Sequence, residues 1–129
     1  RLLGYIEMRK VLLSSTIPEA TCYAGTIVQE AYQTHPAVRE ACANSIVRHA
    51  RTLDADIEAA LQRSSVAGEW SATSLSLHIQ GVVQGAFILA KALDGIPAAL
   101  DSLDHLARYL RLLFAVPGGR ARKHASKEN

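Results

Sequence analysis

Cysteine is scarce in this chain of 129 residues, which contains only Cys22 and Cys42. The two cysteines form no CxxC pair, which argues against a zinc ribbon and against a redox motif. Both fall at apolar positions of predicted helices, where cysteines are more often reduced core residues than disulfide partners. We therefore expect two free thiols and neither a bound metal nor a cofactor.

A net positive charge is found at only one end of the chain. The formal net charge is +2, but residues 118–129 alone carry a net charge of +3, because four basic residues there accompany one acidic residue, Glu128. The remaining body therefore has a net charge of −1. A DNA-binding surface needs clustered basic residues, so the body is not predicted to bind nucleic acid. We expect residues 118–129 to form a disordered basic tail.

The chain also lacks an uninterrupted hydrophobic run of membrane-spanning length. Its most apolar window, residues 75–93, contains His78, Gln80, Gln84 and Lys91. A membrane-spanning helix would rarely tolerate all four of these side chains, and no N-terminal signal pattern is present. With 49% hydrophobic and 20% charged residues, the composition predicts a globular, soluble and cytoplasmic protein.

The residue combinations that catalysis requires are absent from the sequence as well. The five histidines form no HxxxH or ExxH pair that would bind a metal. Neither a GxSxG nucleophile motif nor a phosphate-binding glycine loop occurs. We therefore expect no catalytic residue, no metal site and no enzymatic activity.

Apolar residues recur at helical spacing along most of the chain, while no convincing strand pattern is present. The pattern predicts an all-α domain over residues 1–117, built as a bundle of about five helices. In chain order, the predicted helices cover residues 2–13, 20–34, 36–63, 69–93 and 97–114. Pro36 and Pro97 suit the first turn of a helix, and Asp94 with Gly95 suits a left-handed C-terminal cap.

The fourth predicted helix contains two glycines four residues apart, each of which costs about 1 kcal/mol relative to alanine. They lie on a second face of the helix, next to the apolar face that is predicted to pack in the core. Their small size would let the backbone of another helix approach closely. The leucines of the fifth predicted helix are spaced for near-parallel packing. We therefore predict that these two helices and their copies form a four-helix dimer interface, although packing within one chain is the alternative. The predicted interface residues are Gly81, Gly85, Ile88, Ala92, Leu103, Leu106, Leu110 and Leu113.

Three segments, taken with the order of the helices, resemble the C-terminal domain of TetR-family (tetracycline-repressor-like) transcriptional regulators. They read TCYAGTIVQEAYQTHPAVREA (residues 21–41), LHIQGVVQGAFILAKALDG (residues 77–95) and DSLDHLARYLRLLF (residues 101–114). The resemblance implies an all-helical homodimer that holds a small, mostly apolar effector, joined to an N-terminal helix-turn-helix domain that binds operator DNA. This chain contains no helix-turn-helix segment, so we expect operator DNA to be bound only through that missing domain.

The resemblance places the effector pocket among the first four predicted helices. Ligand pockets are mostly apolar with a few well-placed polar groups, and ten inward-facing residues fit that description. The candidates are Tyr5, Met8, Cys22, Tyr23, Thr26, Ile46, His49, Leu53, Trp70 and His78. A purely structural role is the alternative for each, since His49, for example, could be a hydrogen-bonded core histidine.

Two hypotheses about function remain after the sequence analysis. The first is a ligand-sensing and homodimerisation domain of a TetR-like regulator, a repressor that a small molecule releases from its operator. The second is a stand-alone helical dimerisation or interaction module without an effector. The sequence does not identify the effector, because one fold can host many ligands.

Overall fold

The computed structural model describes residues 1–13, 21–64, 66 and 68–115. Within these residues the secondary structure consists of helices alone, which confirms the predicted all-α fold. The six helices are α1 (Leu2–Leu13), α2 (Tyr23–Ala31), α3 (Pro36–Arg51), α4 (Asp54–Arg63), α5 (Ala72–Ala92) and α6 (Pro97–Leu113). The predicted basic tail and the predicted domain end at residue 117 lie outside the described residues.

The structure divides the third predicted helix, residues 36–63, into α3 and α4. The Thr52 hydroxyl donates a 2.7 Å hydrogen bond to the carbonyl of His49. The backbone N–H groups of Thr52 and Leu53 also bond to carbonyls three residues earlier, which tightens the last turn. Side-chain bonds of this kind compete with the regular helical pattern and bend helices. Asp54 then begins α4, where a negative charge is favourable near the helix N-terminus.

Both ends of α5 have specific caps. Ser71 and Ser74 form a reciprocal capping box at its start, which satisfies two backbone N–H groups. At its end Asp94 adopts a left-handed conformation with φ 47°, and the Gly95 N–H bonds to the carbonyl of Ala90. This is the Schellman arrangement, and it confirms the predicted cap. Pro97 occupies the first turn of α6, as predicted.

α5 is the central helix of the fold, because it packs against α3, α4 and α6. α1 packs against α6, and α2 packs against α3. The buried residues of α5 and α6 share one continuous hydrophobic core with residues of α1 and α4. The largest side chains that are fully buried in it are Ile6, Leu13, Ile57, Ile79, Val83 and Leu103.

The four leucines of α6 that were predicted at the dimer interface, here named the leucine seam, are Leu103, Leu106, Leu110 and Leu113. Most of the leucine seam belongs to the core of the single chain, which corrects that prediction. Leu103 is 0% exposed, and Leu106 and Leu110 are also buried within the single chain. Their side chains therefore have almost no surface left for a second copy. Only Leu113, which is half-buried, retains accessible surface among the four. These leucines are three, four and three residues apart because α6 packs against α1 and α5. Leucines that face a core and leucines that face another chain follow the same periodicity.

One helix in the described part of the chain, α5, is long and apolar enough to cross a membrane by length and composition alone. The same composition suits a central core helix, and the buried face of α5 forms part of the hydrophobic core. Length and hydropathy therefore carry little weight here as a sign of a membrane span.

Candidate functional site

A cavity of about 270 Å³ lies between α1, α3, α5 and the residues that precede α2. Its volume is slightly below the range of about 300–1,000 Å³ that is usual for ligand pockets, so it suits a small ligand. Its wall combines apolar and polar side chains. The lining residues are Arg9, Thr21, Cys22, Ser45, Ile46, His49, Gln80, Val83 and Phe87.

Three polar side chains form a cluster on the α1 and α3 side of this cavity. The His49 Nε2 atom is hydrogen-bonded to Arg9 Nη2 and lies 3.2 Å from the Tyr5 hydroxyl. The Arg9 guanidinium also sits over the Tyr5 ring, 4.9 Å from its centroid, in a cation–π geometry. Tyr5 lies one helical turn before Arg9 on α1, so the two side chains are neighbours on one face. The cluster holds the Arg9 charge beside the cavity.

The Arg9 contact determines the protonation state of His49. A guanidinium can only donate hydrogen bonds, so Nε2 must be the acceptor and the ring proton must reside on Nδ1. Burial lowers the pKa of His49 below its ordinary value, and the positive charge of Arg9 lowers it further. His49 is therefore a neutral imidazole at neutral pH, and the cluster carries one positive charge, that of Arg9.

Two residues that line the cavity each have one buried side-chain atom without a hydrogen-bond partner in the described part of the chain. These atoms are the Nε of Arg9, which is a donor, and the Oε1 of Gln80, which is an acceptor. A buried polar atom with an unmade hydrogen bond costs about 1–3 kcal/mol, and most such atoms in native proteins are paired. Their pairing would require one acceptor and one donor close to the cavity wall.

The structure brings together some of the predicted effector residues. Cys22, Ile46 and His49 line the cavity, and Tyr5 contacts it through His49. Leu53 is buried in the core. Trp70 packs edge-on against Phe114 instead, with ring centroids 6.4 Å apart.

The other four predicted effector residues have side chains that are largely exposed to solvent and do not line this cavity. They are Met8, Tyr23, Thr26 and His78. Helical periodicity placed them on the inward side, but α2 buries only Gly25, and His78 packs on Tyr109 at the surface. The inward face of α2 is therefore narrower than the apolar spacing suggests.

Arg9 and Gln80, which give the cavity its polarity, are not among the residues predicted from the sequence. The available signal was a polar residue in an otherwise apolar setting. Arg9 follows Leu2 and Ile6 on the inward stripe of α1, and Gln80 follows Ile79 in the most apolar helix. Gln80 is only 6% exposed, which is rare for an amide unless it has a structural or binding role.

A larger opening of about 530 Å³ lies between α1, α4 and α6, and its wall includes Arg1, Leu3, Arg63 and Phe114. In the described residues, none of its lining side chains contains a buried polar atom that lacks a partner. The smaller cavity is therefore the better candidate for a specific ligand, because of the two it alone has described lining residues with buried polar atoms that lack a partner.

The outward side of α5 forms a second surface of interest with α6, here named the open face. A Cβ atom placed on Gly81 or Gly85 would meet nothing within 4 Å, so none of the other helices described in the structure packs against either glycine. The His78 and Tyr109 rings make an edge contact at 5.6 Å, which joins the exposed surfaces of the two helices. The residues of the open face are Leu77, His78, Gly81, Gly85, Ile88, Ala92, Tyr109 and Leu112.

Comparison with known families agrees with this architecture. The family model described as the tetracyclin repressor-like C-terminal domain matches residues 1–106, which include α1 to α5 and more than half of α6. The chain belongs to this TetR-like family. No curated protein matches the chain, and no solved structure matches it either. TetR-like domains of this kind are parts of transcription regulators that typically are not enzymes.

Metal-binding groups are not clustered in the described part of this TetR-like domain. No three side chains of His, Cys, Asp or Glu are placed there so that they could share a metal ion. Cys22 and Cys42 are both free thiols, as expected.

Proposed function

We propose that this chain is the ligand-sensing and homodimerisation domain of a cytoplasmic TetR-like regulator. In this proposal, a small effector occupies the cavity lined by Arg9, His49 and Gln80. Its binding releases the regulator from operator DNA, which a separate helix-turn-helix domain contacts. The observation that carries the sensing role is that two cavity-lining side chains, Arg9 and Gln80, each have a buried polar atom without a partner among the described residues.

The open face supports the homodimerisation role. A mid-helix glycine costs about 1 kcal/mol relative to alanine, yet nothing in the described chain needs the space that Gly81 and Gly85 leave. Large apolar side chains, including Ile88 and Leu112, are exposed on the same face. A second copy that packs on this face would use the glycine groove and cover the exposed side chains.

The Gly85→Leu variant tests dimerisation without disturbing the single chain. A Cβ atom at this position would meet no described neighbour within 4 Å, and leucine favours the helix more than glycine does, so the variant should fold and remain helical. Sedimentation should give a mass of about twice 13.9 kDa for the wild-type chain and the mass of a monomer for the variant. Val47→Leu, which enlarges an exposed apolar side chain on α3, is the matched control and should remain dimeric. A dimeric Gly85→Leu variant would refute an interface on this face.

A thermal-shift screen with chemically diverse small molecules tests the sensing role. Compounds that bind the folded protein raise its melting temperature in a saturable way. Ile46→Trp, which would fill the cavity from α3, should abolish the shift of any true cavity ligand. Binding that survives this substitution would place the ligand elsewhere, and a dimer with no cavity ligand would favour the helical interaction module without an effector.

A further inference from the structure

Arg9 brings a positive charge to the cavity that no carboxylate of the described residues neutralises. The ion pairs there join Arg1 to Asp56, Lys10 to Glu7 and to Asp104, and Arg51 to Asp54, and Arg9 is in none of them. Its side-chain partners are the neutral ring of His49 and the face of Tyr5. A buried charge is costly unless a charged or hydrogen-bonding partner compensates it.

The free groups of the wall define what a ligand would have to supply. The Nε–H of Arg9 is a buried donor without an acceptor, and a guanidinium offers several N–H groups in a fork that matches two carboxylate oxygens. Beyond it, Ile46, Val83 and Phe87 give the wall an apolar portion. A ligand with a negative end and a compact apolar body would therefore complement both parts.

We propose that the cavity binds a small organic carboxylate, whose acid group pairs with Arg9 and whose apolar body lies against Ile46, Val83 and Phe87. This inference rests on the proposed sensing function and specifies its ligand class. A hydroxyl or N–H group on the same ligand would donate to Oε1 of Gln80, which is the unpartnered acceptor. The ligand would then satisfy both buried atoms at once.

A carboxylate fits this wall better than a phosphate or a neutral ligand. Among the described lining residues Arg9 is the only cationic side chain, because His49 accepts a hydrogen bond from it and is neutral. One positive charge balances one carboxylate but leaves a phosphate dianion under-compensated. A neutral ligand would leave the charge of Arg9 unpaired in a partly buried site.

Four probes of similar size and different charge test the proposal on the purified protein. They are benzoate, 2-hydroxybenzoate, benzamide and benzylamine, each titrated while the amide resonances of the cavity residues are followed by NMR. The two acids should bind, and 2-hydroxybenzoate should bind more tightly because its hydroxyl can reach Gln80. Benzamide should bind more weakly, and benzylamine should not bind because its charge repels Arg9.

Substitution of Arg9 should remove this preference for acids. A hydrogen bond to a charged group contributes about 1.5–3 kcal/mol, so Arg9→Met should weaken benzoate binding by roughly 10-fold to 150-fold. Arg9→Lys should weaken it less, because it keeps the charge. Arg39→Met, at an exposed arginine of α3, is the matched control and should bind benzoate like the wild type. Gln80→Leu should lower the affinity for 2-hydroxybenzoate towards that for benzoate, which supplies a second test if Arg9→Met does not fold.

Several outcomes would overturn the carboxylate assignment. Equal binding of benzamide and benzoate, with no effect of Arg9→Met, would mean that the cavity binds ligands without selecting for an acid, so the sensing function would stand and the ligand class would be wrong. Failure of both acids to bind at millimolar concentration would also reject the class. The proposed sensing function would then depend on the diverse screen with its Ile46→Trp control, which does not rely on acids.

Discussion

Replacing Gln80 with leucine should make the ligand-free protein more stable. Gln80 is 6% exposed and lies beside fully buried Ile79 on the central helix, and its Oε1 atom makes no hydrogen bond in the described chain. A buried polar atom in this state costs about 1–3 kcal/mol. Leucine has a similar volume and a similar helix propensity, so Gln80→Leu should recover an amount in that range. The gain corresponds to roughly 3–5 °C in melting temperature per kcal/mol for a chain of this size.

Chemical denaturation at a fixed protein concentration measures this gain directly. The midpoint should rise with an unchanged denaturant slope, which indicates a change in stability rather than in the unfolded state. Gln62→Leu, at an exposed position of α4, is the matched control and should change stability by no more than about 0.5 kcal/mol. A Gln80→Leu variant that is less stable than the wild type would refute the reasoning. The amide would then have a partner in solution, such as an ordered water molecule, and would not be kept free for a ligand.

Two further predictions concern His49 and the leucine seam. Because burial and the charge of Arg9 lower the pKa of His49 below 6.5 in the folded chain, the unfolded chain binds a proton there first as the pH falls. The stability that the neutral His49 contributes is fully present above about pH 6.5 and declines below it. As the pH falls below 6.5, the melting temperature of the wild type should therefore decrease more than that of His49→Gln. Melting temperatures that change equally with pH in the two proteins would contradict the lowered pKa of His49. Leu103→Ala should lower the free energy of unfolding by about 2–5 kcal/mol, whereas Val11→Ala, at an exposed position of α1, should change it by less than about 0.5 kcal/mol. Similar small losses in both variants, measured by urea unfolding, would show that α6 does not hold the core.

The helices were predictable because apolar periodicity and end signals agree along most of the chain. Pro97 and the Asp94–Gly95 cap fixed the link between α5 and α6 almost to the residue. The break between α3 and α4 was not predictable in the same way. Leu53 and Ile57 on its far side keep the spacing of one continuous helix, while the interruption depends on the hydrogen bond between Thr52 and the His49 carbonyl. A local bond of this kind leaves no trace in an apolar pattern.

The site was predictable only in part, because periodicity reports which side of a helix is apolar and not what covers it. It placed Cys22, Ile46 and His49 on inward faces, and these residues do line one cavity. It also assigned Leu103 and its neighbours to a second copy, although α1 and α5 cover them within the chain. Arg9 and Gln80 were overlooked because periodicity cannot distinguish a functional polar residue on an apolar helix face from an incidental one. The distinction requires the contacts of each side chain, which the sequence does not give.

The two proposals meet in α5, which borders both surfaces. Gln80 lines the cavity, and Gly81 lies on the open face, where a Cβ atom would meet nothing within 4 Å. Consecutive residues of an α-helix point about 100° apart, so a ligand that engages Gln80 acts on the same helical turn that faces a second copy. A rigid core transmits a displacement of such a turn rather than absorbing it. If the cavity binds a carboxylate and the open face dimerises, ligand binding and the packing of the two copies are coupled through α5. Benzoate would then shift the monomer–dimer equilibrium of the wild-type chain and of the Arg39→Met control, and would leave that of Arg9→Met unchanged.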